Sequence, residues 1–269
     1  MNKSAIILLA WICSCQAAGQ PSGADQNANS VARLCSLIES GAEQSPRGVL
    51  LIGEVHGTTE IPRGVQCAIG RMSAAGIRVV LAVEIPADSV RTAILATGDK
   101  SKRLTGWQWE KAWDGRTSVA MLDLIGWAHE HGIEVTSFAP TEQSSNISEK
   151  SQSVILGDGI VEQASDLAVR IPKTRWKLVS LIGRYHVLKL GESDFADKLL
   201  SLGIGKPTML EVRINSGTAW VCRGGTCGVS KMRDGDCKTD IQAGTRSLSV
   251  CITDSTASPP AVLHIKYSD

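Results

Sequence analysis

Aromatic residues are scarce in this chain. They make up 4% of 269 residues, and seven of the eleven are Trp, with two Tyr and two Phe. Excess charge is also missing: 28 Lys and Arg against 27 Asp and Glu leave a net charge of +1. With no basic run and no aromatic-basic stripe, the sequence gives no support for nucleic-acid binding. Long apolar runs are absent too. The longest near the N-terminus, Ala5 to Cys13, is too short to span a bilayer. Several catalytic signatures are lacking: His-Glu-x-x-His, Gly-x-Ser-x-Gly, the P-loop and Cys-x-x-Cys-His. A serine-hydrolase reading therefore has no nucleophile elbow to rest on.

What is present begins with a leader. Lys3 supplies positive charge, Ala5 to Cys13 is an apolar core of signal-peptide length, and Cys15-Gln16-Ala17 resembles a cleavage site. Residues 1–17 thus read as a signal peptide. Ile12-Cys13-Ser14-Cys15 also resembles a lipobox with Cys15 as the lipidated residue, and only that alternative implies membrane attachment. Both readings export the protein, to the periplasm or cell envelope. Removing the leader takes two of eight cysteines and leaves Cys35, Cys67, Cys222, Cys227, Cys237 and Cys251. An even number in an exported protein reads as disulfides, with about 15 pairings open for six cysteines. A zinc site among the last four is the rival, without the close Cys-x2-Cys pairs of a zinc ribbon.

Residues 18–30, rich in Gly, Ser, Asn and Gln, read as a flexible lead-in, and 31–269 as one α/β domain. Apolar runs at Val49 to Ile52, Val79 to Val83, Ile133 to Phe138 and Trp176 to Ile182 read as buried strands. Helical spacing separates them at 31–38, 61–72, 88–95, 118–131 and 155–169, with Pro62 near a helix start and Ser118 as an N-cap. A further helix follows at Phe195 to Leu202. This order predicts a mostly parallel sheet flanked by helices. From 207 to 269 the chain becomes a Cys-rich β extension. Met209 to Ile214, Thr218 to Cys222, Leu248 to Ile252 and Val262 to Tyr267 read as C-terminal antiparallel strands extending the sheet. Trp107, Trp109 and Trp113 crowd one segment, as core or as a pocket wall.

The most specific feature is a pattern that occurs twice. Leu51-Ile52-Gly53-Glu54-Val55-His56 returns as Leu181-Ile182-Gly183-Arg184-Tyr185-His186. In each copy glycine ends a buried run and histidine follows three positions on. Chemistry in open α/β sheets collects at the carboxyl ends of strands, so the repeat predicts one site built from two distant histidines. Glu54 lies in the first copy and Glu84 ends the second strand. Two histidines and two carboxylates suit a divalent-metal site, with His56, His186 and Glu84 as ligands, or a general acid/base set. Arg116, in the polar turn Asp114-Gly115-Arg116-Thr117-Ser118, would clamp an anion or orient a carboxylate, unless the turn only caps the next helix. Tyr185 could face the site. His129 and His131 near a helix C-terminus read as structural, as does Glu60 in a first turn. His264 on a late strand reads as a surface residue.

Gly53-Glu54-Val55-His56-Gly57-Thr58, the acid in Val83-Glu84-Ile85-Pro86 and Gly183-Arg184-Tyr185-His186 resemble the erythromycin esterase, ChaN, TraB and Tiki superfamily, over roughly residues 48–190. The resemblance implies an α/β fold with His56, His186, Glu54 and Glu84 around one site. It also implies a choice of activity, since the superfamily includes metalloproteases, macrolide-opening esterases and haem-binding lipoproteins. The leading expectation is an exported hydrolase that cleaves an ester or amide in a small molecule or peptide, with a divalent transition metal as candidate cofactor. The alternative is a non-catalytic cell-envelope binder of haem or a similar small ligand, with Tyr185 or a histidine as axial ligand to haem. An envelope scaffold with a vestigial site is a third. Arg184 and Tyr185 between glycine and histidine depart from the first copy, and the added positive charge weighs against a cation site.

Overall fold

The computed structural model describes residues 23–43, 47–95, 116–139, 149–171, 175–223, 226–232, 240–241 and 247–252. The leader, Trp107, Trp109, Trp113, Asp114, Cys237, His264 and the strand expected at Val262 to Tyr267 lie outside them. Among the described residues no helix is long and apolar enough to cross a membrane.

Nine strands and seven helices are described. In chain order the first part runs α1 (Gly23–Glu43), β1 (Arg47–Glu54), α2 (Glu60–Ala74), β2 (Arg78–Pro86), α3 (Ala87–Leu95), α4 (Val119–Glu130), β3 (Glu134–Ala139), α5 (Glu149–Arg170) and β4 (Trp176–Gly183). Then follow α6 (Arg184–Gly191), α7 (Phe195–Ser201), β5 (Thr208–Ile214), β6 (Thr218–Arg223), β7 (Thr226–Lys231), β8 (Asp240–Ile241) and β9 (Ser247–Ile252). The main sheet has the order β3-β2-β4-β1-β5-β9-β8. All its neighbours pair in parallel except β8 on β9. The fold is α/β, a mostly parallel sheet flanked by helices.

Two strands depart from expectation in direction. β5 pairs parallel with β1, and β9 parallel with β5; the antiparallel pairs are β8 with β9, and β6 with β7 in a separate two-stranded sheet. Short strands with Gly-rich turns look like a meander in sequence. Here hairpin β6–β7 falls within the connection between parallel β5 and β9, where a helix more commonly sits.

Alternation along the strands sorts the core. Leu50, Ile52, Leu81, Val83, Val179 and Leu181 pack with α1, α2, α3 and α4 on one face. Val49, Leu51, Val80, Ala82, Leu178 and Ile182 pack with α5, α6 and α7 on the other. Strands buried on both faces explain the continuous apolar runs, and each fully buried Leu or Ile contributes about 1.5–3 kcal/mol. Helix α1 starts at Gly23, so most of the expected lead-in is helical. A disulfide between Cys35 and Cys67 ties α1 to α2 and narrows the expected set of pairings to those that contain this bond. Cys222 stands opposite Cys227 in the β6–β7 register. Ser118 caps α4, accepting from the Met121 N–H at 3.3 Å.

Candidate functional site

The sheet order places the two copies of the motif side by side. β1 and β4 are neighbours, with Gly53 opposite Ile182 and Glu54 opposite Gly183. β2 borders β4 on its other side, with Val83 opposite Leu181. The second motif is thus flanked by the first and by Glu84, all at the carboxyl ends of parallel strands.

The two copies then diverge. After Glu54 the chain enters a turn that carries His56, whereas Gly183 is the N-cap of α6 and His186 its third residue. This short helix was not expected from the sequence. The turn at His56 needs Gly57, whose φ is +76°. A side chain there would also strike Trp220 of β6, since a Cβ would lie 2.5 Å from its carbonyl oxygen. The Trp220 N–H donates to the Gly57 carbonyl at 3.1 Å, so hairpin β6–β7 is fastened to the loop that carries His56.

Gly183 is the floor of the site. A Cβ on it would lie 3.2 Å from His56 Nε2, 3.3 Å from His186 Cδ2 and 3.6 Å from Glu84 Oε2. The absence of a side chain therefore lets two imidazoles and a carboxylate converge on one strand end. His56 Nδ1 lies 2.8 Å from Glu54 Oε1, and Glu54 is buried at 4% exposure. A carboxylate only accepts, so Nδ1 carries a proton, and in the neutral ring Nε2 presents its lone pair. Glu84, 3% exposed, accepts from the Gly183 N–H at 2.7 Å through Oε2 and from Arg116 Nη1 at 3.2 Å through Oε1. His186 Nε2 lies 3.8 Å from the same Oε1, and its Nδ1 is 2.8 Å from Ser153 Oγ.

The structure thus brings together His56, Glu54, Glu84, His186 and Arg116. It also brings in Ser153, which lies just before the helix expected at 155–169. Ser153 lies on α5, and nothing local marks it; only the packing of α5 against α6 carries it to His186. At 2% exposure it is too deeply buried to attack a substrate. Tyr185 is 44% exposed, its ring edge-on to His186 at 5.8 Å between centroids. Lys189 lies over the Tyr185 ring, its pKa raised by the hydrogen bond to Glu192. His131 caps α4 and stacks on Trp127 at 4.4 Å, away from these residues. Glu60 opens α2 and is 2% exposed.

Of the residues expected as metal ligands, Glu84 has both carboxylate oxygens engaged, by the Arg116 guanidinium and the Gly183 N–H, whereas His56 is engaged through Nδ1 alone, by Glu54, and keeps Nε2 for a proton or a ligand. Among the described residues no group of three or more His, Cys, Asp or Glu is spaced to hold a metal ion. The arrangement suits proton transfer and hydrogen bonding. A cleft of about 380 Å³ opens at the carboxyl end of β3, lined by Ser137, Phe138, Ile155, Asp158, Glu162 and Gln163 and by none of His56, Glu54, Glu84, His186 or Arg116. It shares α5 with Ser153, and the Ser137 hydroxyl donates to the carbonyl of Ile85, next to Glu84.

No family model matches the chain, and no characterised protein matches it in sequence. Among solved structures it is similar to the type III effector HopBA1, with 16% identity over 83% of this chain and 93% of that one, at a TM-score of 0.47. It is also similar to a Bacillus cereus protein, with 8% identity over 86% and 99% of the two chains, at 0.48. A succinoglycan biosynthesis protein is similar at 8% identity over 91% and 95%, with a TM-score of 0.49. At such values these likenesses carry no argument about function.

Proposed function

We propose that this chain is an exported hydrolase of the erythromycin esterase, ChaN, TraB and Tiki type, cleaving an ester or amide in a small molecule or peptide. One observation carries the reading. His56, held through Nδ1 by the buried Glu54, presents Nε2 at the strand end where His186 and Glu84 also arrive. Water over Gly183 gives its proton to His56 Nε2 as its oxygen bonds to the carbonyl carbon. Glu54 stabilises the imidazolium that forms. Arg116, beside Glu84, supplies positive charge for the developing oxyanion. The bond to the leaving group then breaks, and the His56 imidazolium returns its proton to that group. Export is supported by the leader and by the Cys35–Cys67 disulfide, a bond that persists in oxidising compartments.

The test is a panel of chromogenic esters and amides offered to purified protein prepared without chelator, with metal content measured on the same sample. The expected result is cleavage of at least one compound and a loss on the order of 100-fold or more in His56→Ala. A substrate cleaved equally well by His56→Ala would overturn the proposal. One equivalent of a transition metal, lost when both histidines are replaced, would make the mechanism metal-assisted. The haem reading rests on exposed Tyr185 beside His186; haemin at micromolar concentration producing no Soret shift removes it.

A further inference from the structure

The two histidines have partners of opposite character. His56 Nδ1 faces Glu54, which only accepts, whereas His186 Nδ1 faces Ser153, whose hydroxyl can donate or accept. The other end of the His186 ring decides which. Its Nε2 lies 3.8 Å from Glu84 Oε1. A lone pair there would face a carboxylate oxygen and be repelled; an N–H would be attracted. Arg116 Nη1 bonds the same oxygen at 3.2 Å, yet the carboxylate still favours an Nε2–H over a lone pair, which leaves Nδ1 to accept and the Ser153 hydroxyl to donate.

We infer that Ser153 is a positioning residue that holds His186 as an Nε2–H donor, so that the paired motifs present opposite tautomers: a proton acceptor at His56 and a hydrogen-bond donor at His186. This rests on the hydrolase reading for its chemical meaning. The neutral His186 ring keeps its proton throughout and donates a hydrogen bond to the carbonyl oxygen as charge develops there. The water proton goes to His56 and from there to the leaving group. Burial of Ser153 at 2% exposure keeps solvent from replacing its hydroxyl, and its place on the 22-residue helix α5 fixes its direction.

The test is long-range proton–nitrogen NMR on full-length protein labelled in histidine, at about pH 8, where an ordinary imidazole is neutral. His186 is expected to show a protonated Nε2 and an unprotonated Nδ1, and His56 the reverse. Ser153→Ala should convert His186 to a mixture of tautomers, and Ser153→Thr should restore the wild-type pattern. A wild-type His186 protonated on Nδ1, or a Ser153→Ala spectrum with the His186 pattern unchanged, would overturn the inference. The wild-type spectrum decides the tautomer even if the alanine variant misfolds. Since the measurement needs no substrate, the predicted tautomers in a protein that cleaves nothing would remove the hydrolase reading and leave the assignment of Ser153 standing. With a cleaved substrate, kcat of Ser153→Ala should fall about tenfold or more, with KM little changed and Thr rescuing it; an unchanged kcat would contradict the role.

Discussion

His56 Nε2 lies 3.2 Å from the point where a Cβ on Gly183 would stand, although His56 and Gly183 belong to different copies of the motif. The glycine of the second copy is thus the surface on which the histidine of the first rests. Its φ of −53° and ψ of 136° are open to any residue, so what crowds a side chain there is the two imidazoles. Gly183→Ala should leave the fold nearly intact, with a stability loss of about 1–2 kcal/mol. Displacing His56 and His186 by even a fraction of an ångström should lower kcat on the order of 100-fold. Thermal unfolding and hydrolysis measured on the same preparation check both parts.

Gly57 should behave differently. Its positive φ and the nearness of the Trp220 carbonyl make a side chain costly there in backbone strain as well as in space. Gly57→Ala should destabilise the protein by about 1–3 kcal/mol and loosen hairpin β6–β7. Hydrogen exchange should report faster exchange at Trp220, whose N–H is bonded to the Gly57 carbonyl.

The Cys35–Cys67 disulfide closes a sequence separation of 32 residues between α1 and α2. Constraint of the unfolded chain by a loop of that size is worth about 3–4 kcal/mol. Reductant should lower the Tm of the wild type by several degrees more than that of the Cys35→Ser, Cys67→Ser double variant.

Glu134 at the start of β3 carries a hydrogen bond from Arg170 at 2.8 Å and one from Arg78 at 3.4 Å. Arg170 first, and Arg78 after it, hold its carboxyl below the ordinary value of 4.5. A depressed acid stabilises the folded state above its unfolded pKa, and that contribution disappears as pH falls through the folded pKa. Glu134→Gln should therefore be less stable than wild type near neutrality, and the gap in Tm should close as pH drops below about 4. A gap that widens on acidification would contradict this sign.

Strand ends were the legible part of this site. Buried runs stopping at Gly53 and Gly183 placed Glu54, His56 and His186 near strand termini because apolar continuity reports burial on both faces. Ser118 was legible as a cap because the cap bond is local. Ser153 was not, since its partner lies 33 positions away and depends on how α5 packs against α6. The short helix α6 was hidden because glycine and polar residues after a strand read as a turn. Likewise, the parallel direction of β5 and β9 depends on a hairpin within the connection between them, which no strand pattern reveals.

If both copies of the motif serve one reaction, their histidines must fail together. The direct test is kcat for one cleaved ester in wild type, His56→Ala, His186→Ala and the double variant. The account predicts strong non-additivity: removing His56 should cost nearly as much as removing both, because a hydrogen bond to an oxyanion is of little use without a base to form it. Losses that simply multiply, or a double variant that keeps wild-type activity, would contradict a single site built from both copies.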